Sequence, residues 1–183
     1  SIKKYSMELG GNAPFIVFDD ADLETAINIG AAIKFGNCGQ ICVAANRFFI
    51  HEKVYDKFID GLIIRAKNLK IGFNENLDYD IGPLITEKSR NRVEDLIKQT
   101  LKNGGKLEYG GRIPKMKGNW IEPTIITNVN KTMSIFHEEI FGPVASIIKF
   151  KSDTEVLEKA NDTDYGLASY LFTKNKKRIN KFV

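Results

Sequence analysis

The chain has 183 residues, of which 43% are hydrophobic and 27% are charged, and its formal net charge is +4. This composition is typical of one globular domain and excludes a disordered chain, a collagen-like chain and a coiled coil. The small net charge, spread without a long basic block, gives no indication of a nucleic-acid or membrane partner.

The cysteine count and the apolar runs indicate the cellular setting. Two cysteines, Cys38 and Cys42, are too few for a disulfide framework. No apolar run approaches the roughly 20 residues that a membrane helix needs, and the opening residues SIKKYS lack the apolar stretch of a signal peptide. The sequence therefore predicts a cytoplasmic protein.

In the first half of the chain, short β-rich runs alternate with longer segments of helical period. The Asp19-Asp20-Ala21-Asp22 cluster is typical of a helix N-cap, and Gly104-Gly105 is typical of a helix end. The predicted elements are a strand Pro14–Phe18, a helix from Leu23 to about Phe35, a strand Asn46–Ile50, an amphipathic helix Val54–Leu69, a polar loop Gly72–Asp80 and a helix from Thr86 to about Leu101.

The second half continues the alternation. Ser152 with Glu155 three residues later has the spacing of a capping box. The predicted elements are strands Lys106–Tyr109, Trp120–Ile126 and Val144–Phe150, a helix Ser152–Ala160, a strand Ala168–Thr173 and a helix that begins at Lys174 and runs to Val183. Strands separated by helices predict an α/β fold, with an open, mostly parallel twisted sheet flanked by helices.

Cys42, in the segment Gly39-Gln40-Ile41-Cys42, is a candidate nucleophile. A thiol reacts as the thiolate, which a positive environment or a helix N-terminus stabilises. Gly39 is expected to break the preceding helix, and Val43–Ala45 to begin a short turn with Cys42 near its N-terminal end. A buried structural cysteine is the alternative, because free cysteines are commonly buried.

Two acidic segments are further candidates. Glu8 precedes a predicted buried strand and the paired glycines Gly10-Gly11, which would let another group approach closely. The segment Glu138–Pro143 has an acid pair, an aromatic residue and a Gly-Pro turn, which suggests a rigid loop of the kind that carries function. A solvated loop carboxylate and an ordinary turn explain the two patterns as well.

Several other kinds of site are excluded by the sequence. It has no P-loop and no GxGxxG, and neither His51 nor His137 completes a zinc set with Cys38 and Cys42. No Gly-x-Ser-x-Gly is present. No metal site is therefore predicted.

Taken together and in order, six segments resemble the aldehyde dehydrogenase superfamily. The 34 residues from Glu8 to Cys42 are the separation that this family uses, and the resemblance covers essentially the whole chain. The segments are ELGGNAP at Glu8–Pro14, GQIC at Gly39–Cys42, the single residue Arg47, IGP at Ile81–Pro83, EEIFGPV at Glu138–Val144 and ANDTDYGL at Ala160–Leu167.

The resemblance implies a role for each matching residue. Cys42 matches the catalytic thiol and Glu8 the general base. Glu139 matches the acid that hydrogen-bonds the nicotinamide ribose of NAD or NADP, and Phe141 matches the aromatic residue beside the nicotinamide. The backbone N–H of Cys42 matches half of an oxyanion hole, whose other half is an asparagine in a segment that this chain does not contain.

The implied reaction is NAD(P)-dependent oxidation of an aldehyde to a carboxylic acid, through a cysteine thiohemiacetal and a thioester. Glu8 favours hydrolysis of the thioester, because members that pass the acyl group to coenzyme A generally lack this glutamate. A coenzyme-A-acylating enzyme and a non-catalytic domain that kept the fold are the alternatives.

The residues of these motifs are most similar to those of the succinate-semialdehyde dehydrogenase branch. The best-known members carry an arginine six residues before the thiol, where it pairs with the substrate carboxylate, but this chain has Gly36. Glycine cannot replace a bidentate guanidinium, so a medium-chain or less polar aldehyde is an equal expectation. Cys38 is either a small filler or the partner of Cys42 in a reversible disulfide.

The resemblance also implies a domain organisation. Residues 1–183 match the thiol-bearing catalytic domain, whereas the N-terminal dinucleotide-binding domain and the C-terminal oligomerisation segment of the family lie outside the chain. We expect the isolated chain to be inactive and to bind NAD(P)+ weakly or not at all, and the full-length protein to be a homodimer or homotetramer.

Overall fold

The computed structural model describes residues 2–73 and 78–182, in which six strands form one sheet. The sheet order is β3-β4-β5-β2-β1-β6, and every neighbouring pair is parallel except β3 with β4. The strands are β1 (Ala13–Val17), β2 (Ala45–His51), β3 (Lys106–Tyr109), β4 (Thr124–Thr127), β5 (Val144–Phe150) and β6 (Tyr170–Phe172).

In the part of the chain that the structure describes, six α-helices accompany the sheet, which confirms the predicted α/β class. Capping side chains fix three of the starts: Asp22, Thr86 and Ser152 each accept the backbone N–H three residues later. The helices are α1 (Leu23–Phe35), α2 (Tyr55–Lys67), α3 (Glu87–Lys102), α4 (Ser134–His137), α5 (Asp153–Asn161) and α6 (Lys176–Phe182).

The core lies around the central strands β1, β2 and β5, since all seven residues of β2 are buried. Phe15 and Phe48 stack across the β1–β2 pair with ring centroids 4.8 Å apart. A Cβ on Gly30 of α1 would lie 3.2 Å from both rings, so a glycine there lets α1 pack close to the sheet. Burying each phenylalanine contributes about 2–3 kcal/mol, and this packing fixes the strand starts that carry the site.

Two predicted segments differ from the structure. The predicted strand Trp120–Ile126 is wrong at its start, because only Thr124–Thr127 pairs in the sheet. Pro123 has no N–H to donate, and the Trp120 indole N–H donates to the Lys117 carbonyl instead. The short helix α4 was not predicted. Part of the predicted loop Gly72–Asp80 and the end of the last predicted helix lie outside the described residues.

Candidate active site

Three loops that carry the recognised motifs meet at one edge of the sheet. They precede β1, β2 and β5, which are adjacent and parallel, so their amino-terminal ends share that edge. The loops line an open pocket of about 500 Å³ whose walls are Glu8, Leu9, Gly10, Asn37, Gln40, Ile41, Cys42, Glu139 and Phe141. All four residues singled out from the sequence, Glu8, Cys42, Glu139 and Phe141, therefore lie in one pocket.

Gly10 and Gly11 of the first loop touch both other loops. A Cβ on Gly10 would lie 2.9 Å from Oε2 of Glu139, and a Cβ on Gly11 would overlap the carbonyl oxygen of Cys42. The Gly11 N–H also donates to Oε1 of Glu139 at 2.9 Å. Only residues without side chains allow this close approach, as the sequence suggested for the pair.

The two cysteines differ sharply in environment. Cys42 is half-buried and lines the pocket, whereas Cys38 is 1% exposed in the core. Burial raises the pKa of the Cys38 thiol to about 12, although the Lys34 ammonium acts in the opposite direction. The alternative that Cys42 is a buried structural cysteine does not fit its half-buried position in the pocket wall, whereas Cys38 is fully buried. The Cys38–Cys42 disulfide stays a prediction, which non-reducing peptide mapping after peroxide would test.

The local structure around Cys42 differs from the expected one. Cys42 lies inside a tight turn that the Ala44 N–H closes onto the Ile41 carbonyl, and β2 begins at Ala45. A single 3-10 turn, Gly36–Gly39, precedes it. The expected short turn with Cys42 near its N-terminal end is present as Ile41–Ala44, but it does not include Ala45, which already pairs with Ala13 of β1.

The loop that carries Glu139 and Phe141 is held in an unusual shape. Phe141 has φ +50° and its side chain is 38% exposed toward the pocket. Arg92 of α3 donates to the carbonyls of Glu139 and Ile140, and pairs with the Glu138 carboxylate at 3.3 Å. These contacts support the prediction of a rigid loop, and they come from a residue that the sequence did not single out.

Arg47, recognised in the sequence without a role, is fully buried beneath the pocket. Its guanidinium donates to the carbonyl of Asn12 at 3.1 Å and to the carbonyls of Lys159 and Ala160 at the end of α5. It also lies 5.4 Å from the centre of the Phe136 ring. Burial lowers the pKa of Arg47 to about 10. Arg47 therefore joins the loop before β1 to α5.

Within the described residues, no three His, Cys, Asp or Glu side chains lie close enough together to hold a metal ion. Among the helices of the same residues, none has the length and apolar character to span a membrane.

A family model described as the aldehyde dehydrogenase family matches residues 1–183. The chain belongs to the aldehyde dehydrogenase family. It is 44% identical to succinate-semialdehyde dehydrogenase (NADP+) 2 of Schizosaccharomyces pombe, over 96% of this chain and 36% of that protein. It is also 43% identical to 3-sulfolactaldehyde dehydrogenase of Pseudomonas putida, over 98% and 37%.

The fold agrees with a solved aldehyde dehydrogenase. The crystal structure of succinate-semialdehyde dehydrogenase from Burkholderia pseudomallei superposes with a TM-score of 0.95 at 44% identity, covering 99% of this chain and 38% of that chain. The chain thus spans somewhat more than a third of the length of these relatives. The resemblance to the family is confirmed, while the roles of Cys42, Glu8, Glu139 and Phe141 stay predictions.

Proposed function

We propose that residues 1–183 are the catalytic domain of an NAD(P)-dependent aldehyde dehydrogenase that oxidises an aldehyde to a carboxylic acid. One observation carries the proposal: the contact at Gly10–Gly11 brings the loops of Glu8, Cys42 and Glu139 into one open pocket. A thiol, two carboxylates and an aromatic side chain are four of the groups that this reaction needs.

Cys42 and Glu8 perform the covalent chemistry. The Cys42 thiolate attacks the aldehyde carbon, which forms a C–S bond and turns the carbonyl oxygen into an alkoxide. The Cys42 backbone N–H donates to that alkoxide, and losing such a donor costs about 3–4 kcal/mol of barrier. After the carbon is oxidised, the acyl group remains on Cys42 as a thioester. Glu8 then takes a proton from the water that hydrolyses it.

The residues present fit a nicotinamide cofactor. Bound NAD(P)+ supplies the acceptor for the hydride that leaves the substrate carbon. Glu139 has its carboxylate fixed by the Gly11 N–H, and its other oxygen faces Gly10 in the pocket, where it can accept hydrogen bonds from ribose hydroxyls. Phe141 offers an exposed ring against which the nicotinamide can pack. The name of the S. pombe relative specifies NADP+. The experiment below therefore compares NAD+ with NADP+.

The substrate is proposed as a small aldehyde from one of two classes. The relatives act on succinate semialdehyde and on 3-sulfolactaldehyde by their names, and both substrates carry an anionic group. Gly36 offers no cation at the position where the branch carries arginine, and a Cβ there would meet nothing within 4 Å. We therefore propose succinate semialdehyde and less polar medium-chain aldehydes as the two candidate classes.

The test uses the full-length gene product with a panel of aldehydes and both cofactors, and measures NAD(P)H by its absorbance. We expect Cys42→Ala to abolish turnover, and Cys38→Ala, the matched control outside the pocket, to retain most of it. Turnover by Cys42→Ala would overturn the mechanism. If Cys42 reacted with iodoacetamide no faster than an ordinary thiol and no aldehyde were oxidised, the chain would be a non-catalytic domain with this fold.

Glu8→Gln separates hydrolysis from acylation. We expect one burst of NAD(P)H and then a steady rate lowered by about 10²–10⁴-fold, the usual contribution of a general base. A product that requires coenzyme A and is a thioester would instead identify a coenzyme-A-acylating enzyme.

We also propose a cytoplasmic location, an aldehyde as the small-molecule partner, and a homodimer or homotetramer for the full-length protein. Nucleic acid and membrane are not among the proposed partners.

We propose that the isolated chain is inactive, because the dinucleotide-binding domain of the family lies outside it. Calorimetric titration that shows tight NAD(P)+ binding to residues 1–183 would contradict the proposed domain division.

A further inference from the structure

Lys34 is a fully buried lysine just beneath the candidate active site. It lies in the last turn of α1, its side chain is 0% exposed, and its Nζ donates to Oδ1 of Asn46 at 2.9 Å. No recognised motif includes Lys34, and no step of the proposed reaction uses it.

The contact with Lys34 fixes which way the Asn46 amide points. The Nζ of Lys34 carries N–H donors in both its charged and its neutral form, so its contact stabilises the orientation in which the amide oxygen of Asn46 faces it. The amide nitrogen of Asn46 then points to the other side, where it donates to the Gly11 carbonyl at 3.2 Å. With an apolar side chain at position 34, the amide would be free to turn over and would lose this orientation.

Gly11 is therefore held on both sides of its backbone. Its carbonyl accepts from Asn46, its N–H donates to Glu139, and its Cα lies against the Cys42 carbonyl with no room for a Cβ. A rotation of this residue would move the carboxylate of Glu139 and the backbone of Cys42 together.

The buried ammonium is costly, which makes a purely structural role a poor explanation. Burial lowers the pKa of Lys34 to about 7, against the opposing effects of Cys38 and Glu139, which favour the charged form. Replacing buried charged groups with apolar residues of similar volume is often neutral or stabilising. The contribution of Lys34 to stability is therefore small at best, and its hydrogen bond to Asn46 points to a second role.

We propose that Lys34 is a positioning residue for the aldehyde dehydrogenase reaction: acting through Asn46, it sets the Gly11 backbone against which Glu139 and Cys42 are placed. This inference rests on the proposed function. We assign Glu139 to the cofactor ribose. Replacing Lys34 should therefore change the KM for NAD(P)+ more than the KM for the aldehyde.

The test compares Lys34→Met with the wild-type full-length enzyme, with Lys98→Met, an exposed lysine of α3 paired with Glu94, as the control. We expect Lys34→Met to raise the KM for NAD(P)+ and to lower kcat/KM by about 10–100-fold, the scale of a misplaced catalytic group. Its thermal midpoint should equal or exceed that of the wild type, whereas Lys98→Met should leave all of these values unchanged.

A second variant tests the route through Asn46. Asn46→Asp still accepts from Lys34 but cannot donate to the Gly11 carbonyl, so we expect a comparable rise in the KM for NAD(P)+. If Lys34→Met does not fold, the KM of Asn46→Asp for NAD(P)+ tests the proposal by itself.

Three results would overturn the proposal. They are unchanged kinetics in Lys34→Met, a fall in kcat that tracks lost folded enzyme with KM unchanged, and wild-type kinetics in Asn46→Asp. A wild-type enzyme that oxidises no aldehyde would instead refute the proposed function, so the two failures are distinguishable.

Discussion

The two edges of the sheet carry pockets of similar size but different chemistry. The pocket at the amino-terminal edge, about 500 Å³, is lined by a thiol and two carboxylates. The pocket nearer the carboxyl-terminal edge, about 490 Å³, is lined among the described residues by Lys131, Lys149 and Lys159 with Tyr55 and Phe136, and by no cysteine or acidic residue. Open parallel sheets usually bind ligands at their carboxyl-terminal ends. Here the loops that carry reactive groups come before their strands, so the candidate site is at the opposite edge.

Among residues outside the reacting groups, the largest expected effect concerns a close contact at the amino-terminal edge. Gly11→Ala places a methyl group on the Cys42 carbonyl oxygen, which forces the first two loops apart. We expect about a hundredfold loss of kcat/KM, as for other displaced catalytic groups, measured on the full-length enzyme. Gly36→Ala is the matched control, because a Cβ there meets nothing within 4 Å; an equal loss in both variants would show that the contact does not matter.

The buried cation at the same edge predicts a pH dependence of stability. The pKa of Lys34 falls from 10.5 in the unfolded chain to about 7 in the fold, so above pH 7 the unfolded state binds more protons and the free energy of unfolding rises with pH. Between pH 7 and 9 the free energy of unfolding should rise by at most about 2–3 kcal/mol. Above pH 9 the raised pKa of Cys38 has the opposite effect.

Denaturant unfolding at pH 7, 8 and 9 checks this prediction, with Lys34→Met as the comparison. The rise should be absent in the variant, and the wild type should approach the variant in stability as pH increases. Parallel pH profiles of the two proteins would contradict a strongly lowered pKa.

A smaller effect is expected from the support of the Glu139 loop. Arg92→Met removes two hydrogen bonds to loop carbonyls, and we expect about a tenfold loss of kcat/KM for NAD(P)+, equivalent to 1–2 kcal/mol. Within the described residues, the Arg90 side chain of the same helix bonds to its helix neighbours Glu87 and Asn91 and to no loop carbonyl, so Arg90→Met should stay within twofold. Steady-state kinetics of the two variants distinguish loop support from a general effect on α3.

The smallest effect is expected at the carboxyl-terminal edge. Lys149 packs its ammonium 4.2 Å from the centre of the Tyr55 ring, far along β5 from the loop that carries Glu139. Lys149→Met should leave kcat and KM within twofold of the wild type. A loss as large as that of Gly11→Ala would show that the carboxyl-terminal edge also takes part in the reaction.

Much of the fold was predictable because its determinants are local. The caps at Asp22, Thr86 and Ser152 start their helices as the sequence indicates, and the strand Val144–Phe150 has the predicted limits. At the capping box of Ser152, the Glu155 carboxylate also accepts from the Lys151 N–H at 2.8 Å. The start of β4 depends both on Pro123, which cannot donate, and on the hydrogen bond from the Thr124 N–H to the Pro143 carbonyl, a partner that the local sequence does not indicate.

The sequence alone determined the family, the α/β class and the four residues that line the pocket, because these are encoded in short segments and their order. The tertiary structure decided which edge carries the site, which cysteine is accessible, and that Lys34, Asn46 and Arg92 support the loops. Those three act through hydrogen bonds to partners 12 to 48 residues away. Such contacts leave no local pattern, so only the folded chain reveals them.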